Sequence, residues 1–494
     1  MAPTSRLGKR LEPSMLRTIN PQLTLWDSIL PECCQGLPGD LAAIDALLDD
    51  ERFFEPFRAF FDPGIGRPSI PIETYLRMMF LKYRYRLGFE PLCREVADSI
   101  SWRRFCRVPL DAVTPHPTTL MKITSRCGEE AVAGLNEALL AKAAEEHVVK
   151  LDRVRADTTV VEANVCYPTD SGLLAKGVAK LARLTERIKE AGLATRTKTR
   201  DRTRSVRRRA HAIGAWLRRR NDDAKQEAKA ITGEMATIAT GAIRDARRVA
   251  RNARRGLGQG RAPASGKAAA LVGELERTAA ALERVAAQTR VRLAGGVPDG
   301  STRVVSLHDP DARPIAKGRL GKPVEFGYKA QVLDNAEGIV LDHTVVIGNP
   351  PDAPMLVPAV ARVMARFGRA PTAVSADRGY GEAKIDTELQ DLGVRRPVIP
   401  RRGRPGAARQ KQQRAASFVK LVKWRTGSEA RISHLKRDYG WARTRVDGID
   451  GATAWCGWGV LAHNATKVNA LLTTANASTD DDTGPPGTQP ARAA

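Results

Sequence analysis

From about residue 40 to 148 apolar residues recur at three- and four-residue steps, in DLAAIDALLDDERFFEPFRAFF, IETYLRMMFLKYRYRLGFEPLCREVADSI and TTLMKITSRCGEEAVAGLNEALLAKAAEE, with Gly or Pro between the segments. This spacing predicts a compact all-helical module. The pattern then changes: VKLDRVRADTTVVEANVCY, over 149–167, is rich in β-branched residues and reads as a strand ending near Asp157, followed by a second extended stretch. Helical spacing returns over 171–300, where a Gly/Pro/Ala break at GLGQGRAPASG suggests a helical hairpin inserted into something else. Beyond 300 the strands resume with TRVVSLHD, PVEFGYKAQVLDN and GIVLDHTVVIG, the last two joined as a hairpin at Asn335–Gly338. A helix (PDAPMLVPAVARVMARFG), a buried strand (TAVSAD), a helix (GEAKIDTELQDLG) and a short strand (RRPVIP) follow. The order predicts an α/β fold, a mixed sheet flanked by helices. Residues 400–416 read as a basic loop, and a helix is expected from about 417 through Glu429 to Arg437. The apolar DGATAWCGWGVLAHNATKVNALL reads as a last helix packed on the sheet, and the final TTANASTDDDTGPPGTQPARAA has a disordered composition.

Charge adds a partner to this outline. Lys plus Arg number 80 against 55 Asp plus Glu, a net charge of +25. Residues 171–300 alone hold 30 basic and 12 acidic residues, so the insertion carries +18 of that excess. Polyanions are the expected partners, nucleic acid first among them. Clusters such as Arg207-Arg208-Arg209 and Arg218-Arg219-Arg220 suit phosphate contact, which gives affinity without sequence information. A solvated coiled coil would show similar spacing. Arg103, Arg104, Arg107, Lys122 and Arg126 on the short helices of the first module are compatible with a helix-turn-helix, and equally with an ordinary charged face. No apolar run approaches the ~18 residues of a membrane span, and MAPTSRLGKRLEPS lacks the apolar core of a signal peptide, so a cytoplasmic protein is expected. The seven cysteines form no C-x-x-C pair and the seven histidines are dispersed. Any metal would therefore rest on carboxylates, which favour hard ions such as Mg²⁺ or Mn²⁺.

Three acids stand out. Asp157 lies in RADTTVVEANV, Asp377 follows the β-prone TAVSA and leads into Arg378-Gly379-Tyr380-Gly381, and Glu429 falls in KWRTGSEARISHLKRDYG. Alone, Asp157 could be a turn former and Glu429 a solvated helix residue. Asp377 is the stronger candidate, because the glycines after it allow a sharp exit that leaves the carboxylate at the sheet edge. Arg425, Ser433 and Lys436 share a helix face with Glu429, as they would beside DNA phosphates. Carboxylates brought together by folding could hold two Mg²⁺ ions about 3.5–4 Å apart, which would activate the attacking oxygen and stabilise the leaving oxygen at a phosphodiester.

The residues resemble the DDE transposases of bacterial insertion sequences, whose catalytic core is ribonuclease H-like. Asp157-Thr158-Thr159-Val160-Val161-Glu162-Ala163 is similar to the strand of the first Asp, and Ala376-Asp377-Arg378-Gly379-Tyr380 to the second-Asp motif. Arg425, Glu429 and Lys436 match Arg-x3-Glu-x6-Lys, although the tyrosine expected three residues before that Arg is Val422 here. GRPSIPIETYLRMMFLKYRYRLGFEPLCREVADSISWRRF resembles the helical domain that precedes the core in this group. The resemblance implies that Asp157, Asp377 and Glu429 bind two Mg²⁺ ions, with Mn²⁺ able to substitute. Water would cleave the element ends, and the freed 3′-hydroxyl would attack target DNA. It further implies DNA contacts from Arg425, Lys436 and Arg378, a homodimer or higher assembly on paired ends, and a bacterial, nucleoid-associated location. The expected organisation is an N-terminal segment (1–39), a helical DNA-binding domain (40–148), a ribonuclease H-like domain in two pieces (149–170 and 301–472), a basic helical insertion (171–300) and a disordered tail (473–494). A degenerate, non-catalytic DNA-binding protein and a nuclease that cuts without joining are the alternatives.

Overall fold

The computed structural model describes residues 14–19, 29–259, 266–317, 321 and 323–480. Strand β1 (Arg153–Glu162) forms the middle of a six-stranded sheet with β2 (Arg313–Ala316), β3 (Val324–Asn335), β4 (Val340–Ile347), β5 (Ala373–Ser375) and β6 (Arg396–Val398). On one side β1 pairs antiparallel with β3, from Val154 opposite Asn335 to Glu162 opposite Gly327. On the other it pairs parallel with β5, which in turn pairs parallel with β6. The long β3 also carries β4 antiparallel along Tyr328–Asp334 and β2 along its first residues. The resulting order β4-β3-β1-β5-β6 is that of a ribonuclease H-like sheet.

Asp157 lies inside β1 rather than at its end, because the β-branched run continues through it without a turn residue. The hairpin at Asn335–Gly338 forms as expected, with Gly338 at a φ of 89° and the Asn335 side chain accepting from the Ile339 N–H. TRVVSLHD is not a strand: Ser306 Oγ accepts from the backbone N–H groups of His308 and Asp309 and turns the chain, so the edge strand forms at β2 instead.

Helices α1 (Gly39–Leu48), α2 (Ile72–Arg84), α3 (Phe89–Asp98), α4 (Ile100–Phe105) and α5 (Pro117–Glu145) build the first module, and α5 is broken at Gly128. A short parallel pair, Ser14–Arg17 with Arg67–Pro71, ties the N-terminal segment to the Gly/Pro break ahead of α2, in a module expected to be all-helical. Part of the basic set there is engaged internally. Arg103 donates to the carbonyls of Ala97, Pro109 and Ala112, and Arg107 is ion-paired with Asp49.

The insertion is a bundle of four helices, α6 (Asp170–Glu190), α7 (Thr203–Leu217), α8 (Asp222–Gly258) and α9 (Gly266–Leu293), where a single hairpin is expected from sequence. Its Ala- and Leu-rich faces enclose a separate core, and Arg207, Arg208 and Arg218–Arg220 point to solvent. Residues 260–265, in the Gly/Pro/Ala break, lie outside the described residues.

α10 (Ala353–Phe367) and α11 (Ala383–Asp391) connect β4, β5 and β6. Residues 407–414, expected as loop, are helix α12 (Ala407–Arg414), whose Ala, Arg, Gln and Lys are all good helix formers. The helix expected from 417 to 437 is divided at Thr426 into α13 (Ala416–Arg425) and α14 (Gly427–Asp438). The last helix, α15 (Ile449–Asp480), continues eight residues into the stretch expected to be a tail, extending a helix already fixed by its packed first half. Residues 481–494 lie outside the described residues. α15 carries Trp455 and Trp458 against Tyr75 and Tyr83 of α2, so the first helices and the sheet share one continuous core. Among the described residues no helix is long and apolar enough to cross a membrane.

Beneath the sheet surface, Arg155 of β1 donates to both oxygens of its cross-strand neighbour Asp334, at 2.9 and 2.7 Å, and to the Trp424 carbonyl of α13 at 3.0 Å. Arg431 of α14 adds a contact to the same carboxylate at 3.3 Å. A Cβ at Gly427 would collide with the Arg155 guanidinium, so the chain enters α14 without a side chain there. Asp334 is only 1% exposed, and removing it leaves two guanidinium groups without their shared counter-ion. Asp334→Ala is expected to lower stability by about 3–5 kcal/mol in chemical denaturation. A loss below about 1 kcal/mol contradicts the role given to this clamp.

Candidate active site

The parallel register of β1 and β5 pairs Arg155 with Ser375. Two residues further along each chain stand Asp157 and Asp377, so the register itself draws the two acids together at the mouth of the sheet. Asp157 is mostly buried. Its Oδ1 accepts from the Thr158 N–H at 2.8 Å, and its Oδ2 from Ser428 Oγ at 2.8 Å and from Arg425 at 3.4 Å. Burial pushes the Asp157 carboxyl above the ordinary aspartate range and the charge of Asp377 pushes it further, while Ser428, Thr158 and Arg425 oppose the rise. Asp377 caps the 3₁₀ turn Arg378–Tyr380 by accepting from the Gly379 N–H at 2.7 Å.

A third aspartate, Asp352, is not distinguished by sequence reasoning. It precedes α10, where an Asp ordinarily reads as a helix cap, yet its side chain caps nothing. It accepts instead from Lys329 Nζ at 2.6 Å and from Thr158 Oγ1 at 3.0 Å. A Cβ at Gly379 would meet Asp352 Oδ2 and Asp377 Oδ1, each at 2.9 Å, so the two carboxylates flank a space that only glycine leaves open. The buried Tyr380 hydroxyl lies in the same region and accepts from Gln331 Nε2 at 3.0 Å: its acidity is suppressed chiefly by burial and then by Asp352, Asp157 and Asp377, while the hydrogen bond from Gln331 acts the other way. Three negative charges thus converge around one tyrosine. The signal for Asp352 is available only in three dimensions, as an acid at a helix start that binds a lysine and a threonine from neighbouring strands.

Glu429 follows Ser428 in the first turn of α14 and is exposed to solvent; Ser428 is the residue of that turn that touches Asp157. Arg425 meets Asp157 directly. Arg378 is exposed and donates to the carbonyls of Arg401 and Gly403. Lys436 lines a cleft two turns along α14 from Glu429. Among the described residues no three His, Cys, Asp or Glu side chains are posed closely enough to hold a metal ion together. The donor chemistry of Asp157 and Asp377 nonetheless suits a hard divalent cation: two neighbouring carboxylates, partly desolvated and mutually repelling. The repulsion is measurable. Asp377→Asn is expected to lower the Asp157 carboxyl pKa, because a like charge is removed, and a ¹³C NMR titration reads the midpoint. A midpoint that stays or rises shows that the two acids are not coupled.

Residues 35–126 match the family model described as Transposase domain (DUF772), and residues 296–465 match the Transposase DDE domain. An uncharacterized protein, ORF8 in the nfe locus of Rhizobium meliloti, is 30% identical over 142 residues, which cover 27% of this chain and 66% of that relative. No solved structure matches the chain. The two matched segments take in most of the helical module and the chain from β2 into α15, with Asp377 and Glu429 but without β1 and Asp157, and the sheet order agrees with them. The chain belongs to the DDE transposases of bacterial insertion sequences.

Proposed function

We propose that the protein cleaves DNA at the ends of its insertion sequence and joins those ends to target DNA, with Asp157, Asp377 and Glu429 as the acids of the reaction and two Mg²⁺ ions, replaceable by Mn²⁺, as cofactor. The observation that carries this reading is the β1–β5 register, which brings Asp157 beside Asp377 in a chain that belongs to a family generally using divalent metals. Bound to these carboxylates, the ions would supply charge neutralisation at the phosphodiester and a more acidic water. The chain's own side chains do the rest. Thr158, Ser428 and Gly379 hold the two aspartates in fixed orientations, so little reorganisation is needed when DNA arrives. Lys329 neutralises Asp352 and keeps a third negative charge from being added uncompensated to the pair. Arg425 balances Asp157 and is positioned to turn to a phosphate near the scissile bond.

Hydrolysis of the P–O3′ bond would leave a 3′-hydroxyl at the element end and a 5′-phosphate on the flank. The same 3′-oxygen would then attack a target phosphodiester and release the target's own 3′-hydroxyl. Exposed arginines of the insertion, Arg207, Arg208 and Arg218–Arg220, together with Arg402 and Arg404 of the loop before α12, offer phosphate contacts along the duplex. Residues 40–148 would add to DNA binding through the face that remains basic, and a dimer or larger assembly would hold two ends at once. Such an enzyme works in the bacterial cytoplasm on the nucleoid.

Incubating the protein with Mg²⁺ and a supercoiled plasmid bearing the terminal inverted repeats is expected to give 3′-hydroxyl nicks at the repeat boundary. Asp157→Asn and Asp377→Asn should each abolish them while DNA binding in a gel-shift assay persists. Equal nicking by wild type and Asp377→Asn sinks the assignment, and nicks without joined products support a nuclease.

A further inference from the structure

A cleft of about 420 Å³ lies between the turn after α2 and the segment from Lys436 to Arg445, with Trp455 on its wall. Five cations line it, Lys82, Arg86, Lys436, Arg443 and Arg445, and no acidic residue does. Two acids are paired with residues beside it. Glu162 pairs with Arg443 at 3.0 Å, and Asp438 is engaged by Arg437 and His434.

Lys82 is the unusual member. Its side chain is 3% exposed, and its ammonium lies over the rings of Tyr83, Trp455 and Phe89, at 4.4, 4.6 and 4.8 Å. Among the described residues it has no hydrogen-bond acceptor and no carboxylate partner. Ring faces stabilise a cation only modestly, well short of the cost of desolvating an ammonium ion. Burial and then the positive charge of Arg445 accordingly push Lys82 down to about 7. The fold thus buries an amine, whose charged form it disfavours, beside Arg86, Lys436, Arg443 and Arg445. A bound anion would supply the missing charge.

The cleft's position selects the anion. It shares two elements with the candidate active site: α14 carries Glu429 and, seven residues on, Lys436, about 10 Å along the helix axis. β1 carries Asp157 and, five residues on, Glu162 with its partner Arg443, about 17 Å along the strand. At the ~3.4 Å axial rise of one strand of a duplex, that separation corresponds to roughly three to five nucleotides. We propose that this cleft seats one backbone phosphate of the bound DNA strand, three to five nucleotides from the cut, with Lys82 at its floor and Arg86 and Arg445 at its rim. The assignment rests on the DNA-cleaving reading above and adds to it a defined phosphate contact made jointly by the first helical module and the catalytic domain.

Binding to a duplex carrying the element end is measured in EDTA, so that cleavage plays no part, for wild type, for the Arg86→Ala, Arg445→Ala double variant and for Lys82→Met. The variants are expected to reduce the slope of log K against log salt by about one, the value for a single phosphate contact. Ethylation of one phosphate three to five nucleotides from the cut should weaken wild-type binding and leave the double variant unaffected. The double variant changes only exposed side chains, so the outcome stands even if Lys82→Met does not fold. An unchanged slope and an identical interference pattern overturn the proposal while leaving the active-site assignment intact, and loss of nicking by the catalytic variants bears on that assignment alone. If millimolar inorganic phosphate raises the melting temperature of wild type but not of the double variant, with equal DNA slopes, the cleft holds a small free anion and the DNA assignment is overturned.

Discussion

The buried ion pair between Arg155 and Asp334 sets the geometry on which the rest of the site depends. Arg155 precedes Asp157 by two residues on β1, so its guanidinium lies on the same side of the strand. By reaching Asp334 on β3, the Trp424 carbonyl and ring at the end of α13, and the space above Gly427, it fixes three elements with one side chain. Arg431 closes the arrangement from α14. Ser428 and Arg425 reach Asp157 because the α13–α14 junction is held at this spot. A buried pair of this kind gives little net stability over an apolar substitute, and its value is in orientation.

Electrostatic balance around the acids follows the same logic. Asp157, Asp352 and Asp377 would repel one another strongly in a partly buried pocket, and the fold offsets each charge differently. Asp157 has Arg425, Asp352 has Lys329, and Asp377 has a backbone N–H in the turn that it caps. Asp377 is therefore the acid least compensated by a fixed cation, as the proposed metal chemistry requires. Glu429 stands one residue from the contact between Ser428 and Asp157, close in sequence to the site but turned to solvent. The positive charge of the chain is divided in a similar way. Arg103, Arg107 and Arg155 are consumed by internal bonds, as are Arg202, Arg209, Arg247 and Arg254 of the insertion, whereas Arg207, Arg208 and Arg218–Arg220 are exposed to a polyanion, as are Arg86 and Arg445 of the Lys82 cleft.

Much of the core was legible in one dimension. β-branched runs marked β1, β3 and β4, the Asn335–Gly338 turn fixed their hairpin, and Asp377 followed a buried strand into a glycine-bearing turn. What escaped has identifiable causes. Asp157 interrupts a β-prone run without ending it, because a central strand tolerates an acid whose carboxylate is met by Ser428, Arg425 and the Thr158 N–H. Ser306 turns the chain through side-chain hydrogen bonds that no periodicity reveals. The break at Thr426 lies beside Arg155, whose contacts with the Trp424 carbonyl and with Gly427, far apart in sequence, exist only after folding. Asp352 looks like a helix cap until Lys329 and Thr158 are seen beside it.

The central claim, that Asp157 and Asp377 form one divalent-cation site, is tested most directly by replacing Mg²⁺ with Fe²⁺ and mapping where ascorbate-driven hydroxyl radicals cut the polypeptide. The account predicts cuts clustered near residues 157, 377 and 429, suppressed by excess Mg²⁺ and lost in Asp377→Asn. Cuts confined to other segments, or an unchanged pattern in that variant, would contradict it.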